Sequence, residues 1–428
     1  MQNDNAKSKV SFLVRYSNLI ALFLLVIMAI LAITSMAGDS GITDEVAHIP
    51  AGYSYLKFQD YRLNPEHPSL IKGLAAIPLL FMNLKFPLEH ICWAEDVNGQ
   101  WECGWQFIYH IGNNADQILF WSRVPIVLLM LLLGFFIFKW TKELYGPRTA
   151  LFALFLYSFS PNILAHSRYV TTDLGLCVFF FISVYYFCKF IRKPNWLNLI
   201  LAGLTFGLAQ LSKFSAVLLI PYFILLTMVV LLIKRKTFKV FVPALLLIFI
   251  IGYLLVGAVY QFTMAKMPLD LQHRLIDESL AVDLKIASIT RDTLHKLTNF
   301  SLTRPYAQYL TGLAMVFGHL KGGHSTYFLG ETSNLGWWYF FIIAFLMREM
   351  SCVLILVFLA IFLFAKNFIT TFKNYPVQGG KNRFTQAYKK ITAYLWQHFE
   401  KFVFATIILM WIVVGMKSKL NIGLRYIL

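Results

Sequence analysis

The polar residues of this chain are gathered into short stretches between long apolar runs, and that arrangement leaves few ways to fold. Of its 428 residues, 58% are hydrophobic and 14% charged, where soluble domains carry roughly a quarter charged residues. A water-soluble core could not hide that much apolar surface. Inside a bilayer, backbone N–H and C=O groups must be satisfied within the segment, so each run reads as a membrane-spanning helix of about 20 residues. The fold class is therefore an all-α polytopic membrane protein.

About nine spans can be drawn: Tyr16 to Met36, Ile118 to Trp140, Thr149 to Ala165, Tyr169 to Phe190, Trp196 to Leu211, Phe214 to Ile233, Val240 to Gln261, one within Ser351 to Ala365, and one within Phe402 to Val414. The first follows a basic start but is long for a signal-peptide core and lacks a small-residue cleavage site, so it reads as a retained signal anchor.

The net charge of +17 does not point to nucleic acid, because the basic residues fall at alternate ends of the apolar runs. Lys7, Lys9 and Arg15 precede the first span, Lys139, Lys142 and Arg148 follow the second, and Lys189, Arg192 and Lys193 follow the fourth. Lys234, Arg235, Lys236 and Lys239 follow the sixth, and a further basic group from Lys366 to Lys401 separates the eighth from the ninth. All lie on one side if the N-terminus is cytoplasmic, which is the positive-inside pattern. The acidic residues, from Asp39 to Asp116 and from Asp270 to Glu331, crowd the other side. The expected location is a multi-pass position, in the plasma membrane, with any active site on the outer face.

Two outer loops are long, about residues 37–117 and 262–334, and loops of that length are usually functional or disordered. Both are rich in aromatic and apolar residues, which argues for order. SLIKGLAAIPLLFMNL, Ser69 to Leu84, is too short and broken to span and reads as an interfacial helix, as does GWWYFFIIAFLM, Gly336 to Met347. Arg348–Glu349 then interrupts the apolar run at the outer interface, since a charge at mid-membrane is costly. Cys92 and Cys103 share the first outer loop and either pair there or stay free; a bridge would contribute about 3 kcal/mol. Cys177, Cys188 and Cys352 lie in apolar runs and read as core packing.

Five clusters carry chemistry. Asp44–Glu45 is a carboxylate pair just beyond the first span, placed to take a proton from an acceptor in water or, more plainly, to cap the helix that follows. NPEHP, Asn64 to Pro68, holds Glu66 and His67 between stiffening prolines, where they either bind a divalent cation or simply shape the loop. HSRYVTTD, His166 to Asp173, brings His166, Arg168 and Asp173 to the edge of two spans, as a substrate site or an ion pair between helices. Lys213 and Arg425 sit at outer span ends, where each either snorkels or meets a lipid phosphate. All five clusters converge on one face. No Walker loop, paired CxxC or GxSxG elbow occurs.

The run TDEVAHIPAGYSYL…DYRLNPEHPSLIKGLAAIPLL resembles the first outer loop of protein O-mannosyltransferase and aminoarabinose-transferase type enzymes, glycosyltransferase family 39-like members of the C-type membrane glycosyltransferases. SPNILAHSRYVTTDLGLCVFFF, GLAQLSKFSAVLLIPY, YFLGETSNLGWWYFFIIAFLMRE and LNIGLRYIL resemble further blocks of that family, in its order. The resemblance implies transfer of one sugar from a polyprenyl phosphate to a protein, lipid or glycan acceptor at the outer membrane face. It implies Asp44 as base or acceptor-positioning residue, with Glu45 beside it, Glu66 and His67 at a position where some relatives hold a metal ion, and Asp173 in the third-to-fourth connection. Lys213, Arg425 and Arg348 would face the donor phosphate, with His166 and Arg168 in support. Ser69 departs from the family, which has a second proline there, and Arg348 stands where relatives often have lysine. Relatives continue past the last block into a proline and further spans, so a C-terminally truncated chain is expected. A lipid or solute transporter is the rival reading, and would call for charges deep within spans and a two-fold pattern of broken helices. A non-catalytic assembly subunit is the other.

Overall fold

The structure, a computed structural model, describes residues 12–234, 237–280, 285–323, 325–376, 383–419 and Asn421. Regular structure among these residues is helical apart from one small hairpin, Thr326–Phe328 paired antiparallel with Glu331–Ser333. The hairpin was not foreseen from the sequence. Its two-residue turn, Leu329–Gly330, has positive φ at both positions (50° and 93°), which is what a tight right-twisted hairpin requires.

Seven helices among the described residues are long and apolar enough to cross a membrane: Ser17–Met36, Ala115–Tyr145, Thr172–Arg192, Phe214–Ile233, Phe238–Thr263, Ser351–Lys373 and Phe399–Lys417. They coincide with seven of the expected spans. The other two expected spans fall short by length. The stretch Thr149 to Ala165 is divided into the helices Pro147–Ser158 and Pro161–His166, because Pro161 cannot continue the preceding helix. Trp196–Ser212 is a single apolar helix of 17 residues.

The chain forms two compact units. The first comprises residues 1–186, 201–216 and 251–315. Here the Ser17–Met36 helix buries Ala21, Met28, Ala32 and Met36 along one face and exposes Leu19, Leu22, Phe23 and Ile30 on the other, as a helix between protein and lipid does. The first outer loop folds into the Thr43–Lys57 and Ser69–Ala76 helices and shorter turns of helix. The Ser69–Ala76 helix does more than lie on a surface: Ile71, Lys72, Gly73, Ala75 and Ala76 are buried, while Ile77 and Phe81 remain exposed. Gly52 has no room for a side chain because the Lys72 backbone lies against it. Pro50 interrupts the Thr43–Lys57 helix and leaves the Val46 carbonyl without its usual N–H partner, and Gly104 backs closely onto that carbonyl. Cys92 and Cys103 are joined in a disulfide. The Leu269–Ser279 and Lys285–Thr298 helices of the second long loop share a small apolar core around Ile276, Leu280, Leu294 and Ala307.

The second unit comprises residues 187–200, 217–250 and 316–428. Arg192 grips Glu400 through both carboxylate oxygens at 2.6 Å, and Tyr222 donates to the Val403 carbonyl at 2.8 Å. The Phe340–Arg348 helix ends at the Arg348–Glu349 interruption, as expected from the sequence. The Ser351–Lys373 helix has no buried residue. Cys352 therefore does not pack in a core as expected; it is exposed on that helix, while Cys188 is buried and Cys177 half-buried.

Candidate functional site

The carboxylate pair at the start of the Thr43–Lys57 helix divides into two unlike residues. Glu45 is fully buried. Its Oε1 and Oε2 accept from Arg123 Nε at 2.9 Å and Nη2 at 2.7 Å, a forked pair with both side chains out of solvent. Glu45 also accepts from its helix's own entry residue, Ile42 N, at 3.1 Å, and from Val170 N at 3.0 Å. The reach back to Ile42 is the carboxylate half of a capping box. Arg123 completes its donors on the carbonyls of Met36, Asp39 and Ser40. With both oxygens engaged, Glu45 braces the start of the helix.

Asp44 is half-buried in the first turn, where the positive end of the helix favours a carboxylate. One turn on, His48 is buried and its Nδ1 donates to the Val170 carbonyl at 2.8 Å. That bond puts the hydrogen on Nδ1 and leaves Nε2 with the lone pair when the ring is neutral. The His67 ring meets the His48 ring edge to face at 5.2 Å. Burial pushes the His48 pKa below 6.5; Asp44 pulls it up, Lys72 pushes it down, and the Val170 carbonyl and Glu66 pull it up. Asp44 and Glu66, from separate segments, thus act on one imidazole.

The loop that carries Glu66 and His67 is held from beneath by Lys72. This fully buried ammonium shares its three N–H groups among four acceptors, Asn64 O and His67 O at 2.7 Å, Tyr55 OH at 2.8 Å and Asn64 Oδ1 at 2.9 Å. Burial drives its pKa well below 10.5, with Glu66 pulling the other way. Tyr61 OH adds a hydrogen bond to His67 O at 3.0 Å, and Asn64 takes a left-handed φ of 52°, a conformation that asparagine tolerates better than most residues. Nearby, Asp60 and Arg62 form a forked pair, and the Arg62 guanidinium lies 4.1 Å from the Trp93 ring centre.

The HSRYVTTD segment contributes two ion pairs. Arg168 binds Asp39 at 2.5 Å and the Ser35 carbonyl at 2.6 Å, and Tyr169 OH donates to the same aspartate at 3.1 Å. Asp173, in the first turn of the Thr172–Arg192 helix, meets Lys213 at 2.5 Å, with both side chains nearly buried. The ion-pair alternative for this segment is thus realised, through partners the sequence could not name. His166 is half-buried at the end of its short helix. Arg348 is exposed and belongs to the second unit. Arg425 lies outside the described residues.

Among the described residues no group of three or more His, Cys, Asp or Glu side chains is arranged to hold an ion. The Glu66 oxygens accept from Gln100 Nε2 at 2.7 Å and Asn98 Nδ2 at 3.5 Å.

Residues 106–259 match the family model for dolichyl-phosphate-mannose-protein mannosyltransferase, which bears out the resemblance seen in the sequence blocks over that stretch. Among solved structures, the chain is similar to that of the S. cerevisiae protein O-mannosyltransferase Pmt1-Pmt2 complex bound to the sugar donor. It is 18% identical, with a TM-score of 0.44, over 58% of this chain and 34% of that one. The chain therefore spans about a third of that protein's length. No curated protein matches the sequence.

Proposed function

We propose that this chain is a glycosyltransferase that moves a single sugar from a polyprenyl-phosphate donor to a protein, lipid or glycan hydroxyl at the outer membrane face. One observation carries the reading most. Asp44 stands beside a carboxylate that is locked to Arg123, within the matched stretch, and one turn from an imidazole that is also tied to that stretch, at Val170. A general base must be held in place, and the Glu45–Arg123 pair fixes the helix turn that carries Asp44.

In the proposed reaction the acceptor oxygen attacks the anomeric carbon as its proton passes to Asp44. The bond from that carbon to the phosphate oxygen breaks on the opposite face, and the lipid phosphate leaves with the electron pair. Glu66, His67 and His48 orient the reacting groups. Charge grows on the departing phosphate, so cations near it should contribute most to the rate. Lys213 is the proposed cation. Lys213 would serve once its pair with Asp173 opens towards the donor.

The donor class is tested by incubating membranes that carry the chain with labelled polyprenyl-phosphate sugars and, separately, with the matching nucleotide sugars. The reading expects transfer from the first set alone. Transfer from nucleotide sugars with the lipid donors inert would overturn it.

A further inference from the structure

The segment between Cys92 and Cys103 is a closed ring of chain, and its far side meets the NPEHP loop through two amide side chains. Gln100, buried at 4% exposure, donates from Nε2 to Glu66 Oε1 at 2.7 Å, and its Oε1 accepts from Asn64 Nδ2. Asn98 accepts from the Asn64 backbone N–H at 2.9 Å and turns its own Nδ2 towards Glu66 Oε2 at 3.5 Å. Each oxygen of the Glu66 carboxylate therefore faces one amide donor, a set that fixes both its position and its rotation. Between the two amides, Gly99 has no room for a side chain, because the Cys92 backbone lies directly against it. The ring closes this tightly only with glycine at that place.

We propose that Gln100, assisted by Asn98, is a positioning residue for the Glu66 carboxylate, and that the Cys92–Cys103 bridge and Gly99 exist to hold those amides in register. The proposal rests on the glycosyltransferase reading above, in which Glu66 orients the reacting groups. Nothing in the ring touches the reacting atoms; it acts through Glu66. A cross-link that closes a short loop restricts the chain before and after folding, so the amides need not be ordered by substrate.

The test uses the full chain in membranes, with kcat and KM for the polyprenyl-phosphate donor read separately. Gln100→Leu removes the donor at Oε1 and should lower kcat about tenfold or more with the amount of folded protein unchanged. Gln100→Glu sets a second carboxylate against Glu66, so its loss should deepen as pH rises, which that of Gln100→Leu should not. Cys92→Ser/Cys103→Ser and Gly99→Ala should each reproduce the Gln100→Leu defect. Combining either with Gln100→Leu should add little, because all act on one contact. Glu66→Gln and Asp44→Asn serve as controls. If those two abolish transfer while Gln100→Leu and the double serine variant match the parent, the positioning role is wrong and the glycosyltransferase reading stands. If Asp44→Asn and Glu66→Gln are themselves as active as the parent, the underlying reading fails, and the positioning role with it.

Discussion

Arg123 meets Glu45 through both carboxylate oxygens, at 2.9 and 2.7 Å, and neither side chain reaches solvent. The pair joins the first turn of the Thr43–Lys57 helix to the Ala115–Tyr145 helix, across 78 residues of sequence. Removing one member leaves the other charge buried and unpaired, which costs roughly 3–5 kcal/mol. Glu45→Gln and Arg123→Met should therefore lower the unfolding temperature in detergent markedly. Arg123→Lys should recover only part of the loss, because an ammonium cannot form the fork. An unchanged midpoint in Arg123→Met would show that the pair is not a brace.

The three N–H groups of Lys72 are shared among four oxygens, and a methionine there would fit the space but donate to none. Each buried oxygen left without a donor costs roughly 1–3 kcal/mol. Lys72→Met should destabilise the protein and release the NPEHP loop. Limited proteolysis should then cut near Asn64–Pro68 faster than in the parent. Equal cleavage rates would rule out Lys72 as the clamp.

His48 makes stability depend on pH in a defined direction. Its folded pKa lies below 6.5, burial being the largest cause. Between the folded and unfolded values the unfolded chain binds more protons, so stability rises with pH across that window and is lost as pH falls below about 6.5. A His48→Phe variant lacks this contribution and should show a shallower decline in unfolding temperature on acidification. Parallel curves for the two proteins would contradict the assignment.

Ser69 is the first residue of the Ser69–Ala76 helix, follows Pro68 in an extended conformation (ψ 166°), and its buried hydroxyl has no hydrogen-bond partner among the described residues. A proline is well suited to that position, since the N–H it lacks is not used inside the helix and its φ is already near that required. Ser69→Pro should leave transfer intact and raise stability by about 0.5–1 kcal/mol through the unfolded chain. A loss of folded protein would mean that the ring does not fit the buried site.

The membrane class, seven of the spans and the clusters at Asp44, Glu66, Asp173 and Lys213 were legible because each is written in a short stretch of sequence. The partners were not. Arg123 sits inside an apolar run and reads as one charge near a span end, since its meaning lies in a residue 78 positions earlier. Lys72 reads as the polar edge of an interfacial helix, and only the fold turns it inward beneath the loop it holds. Gln100 and Asn98 carry no charge and match no motif; the bridge between Cys92 and Cys103 was the one signal that could have drawn attention to them. His48, one turn after Asp44, was open to a helical-spacing argument. The division of the third expected span follows from Pro161, which was visible in the sequence but lay within an otherwise continuous apolar pattern.

The central claim is that Asp44 takes the acceptor proton in a transfer from a polyprenyl-phosphate sugar. The most direct measurement is the rate of that transfer in membranes carrying the parent chain or Asp44→Asn, at equal amounts of folded protein and saturating donor. The account predicts transfer by the parent and a fall of about a hundredfold or more in the variant, with donor KM little changed. Equal rates in the two would contradict it.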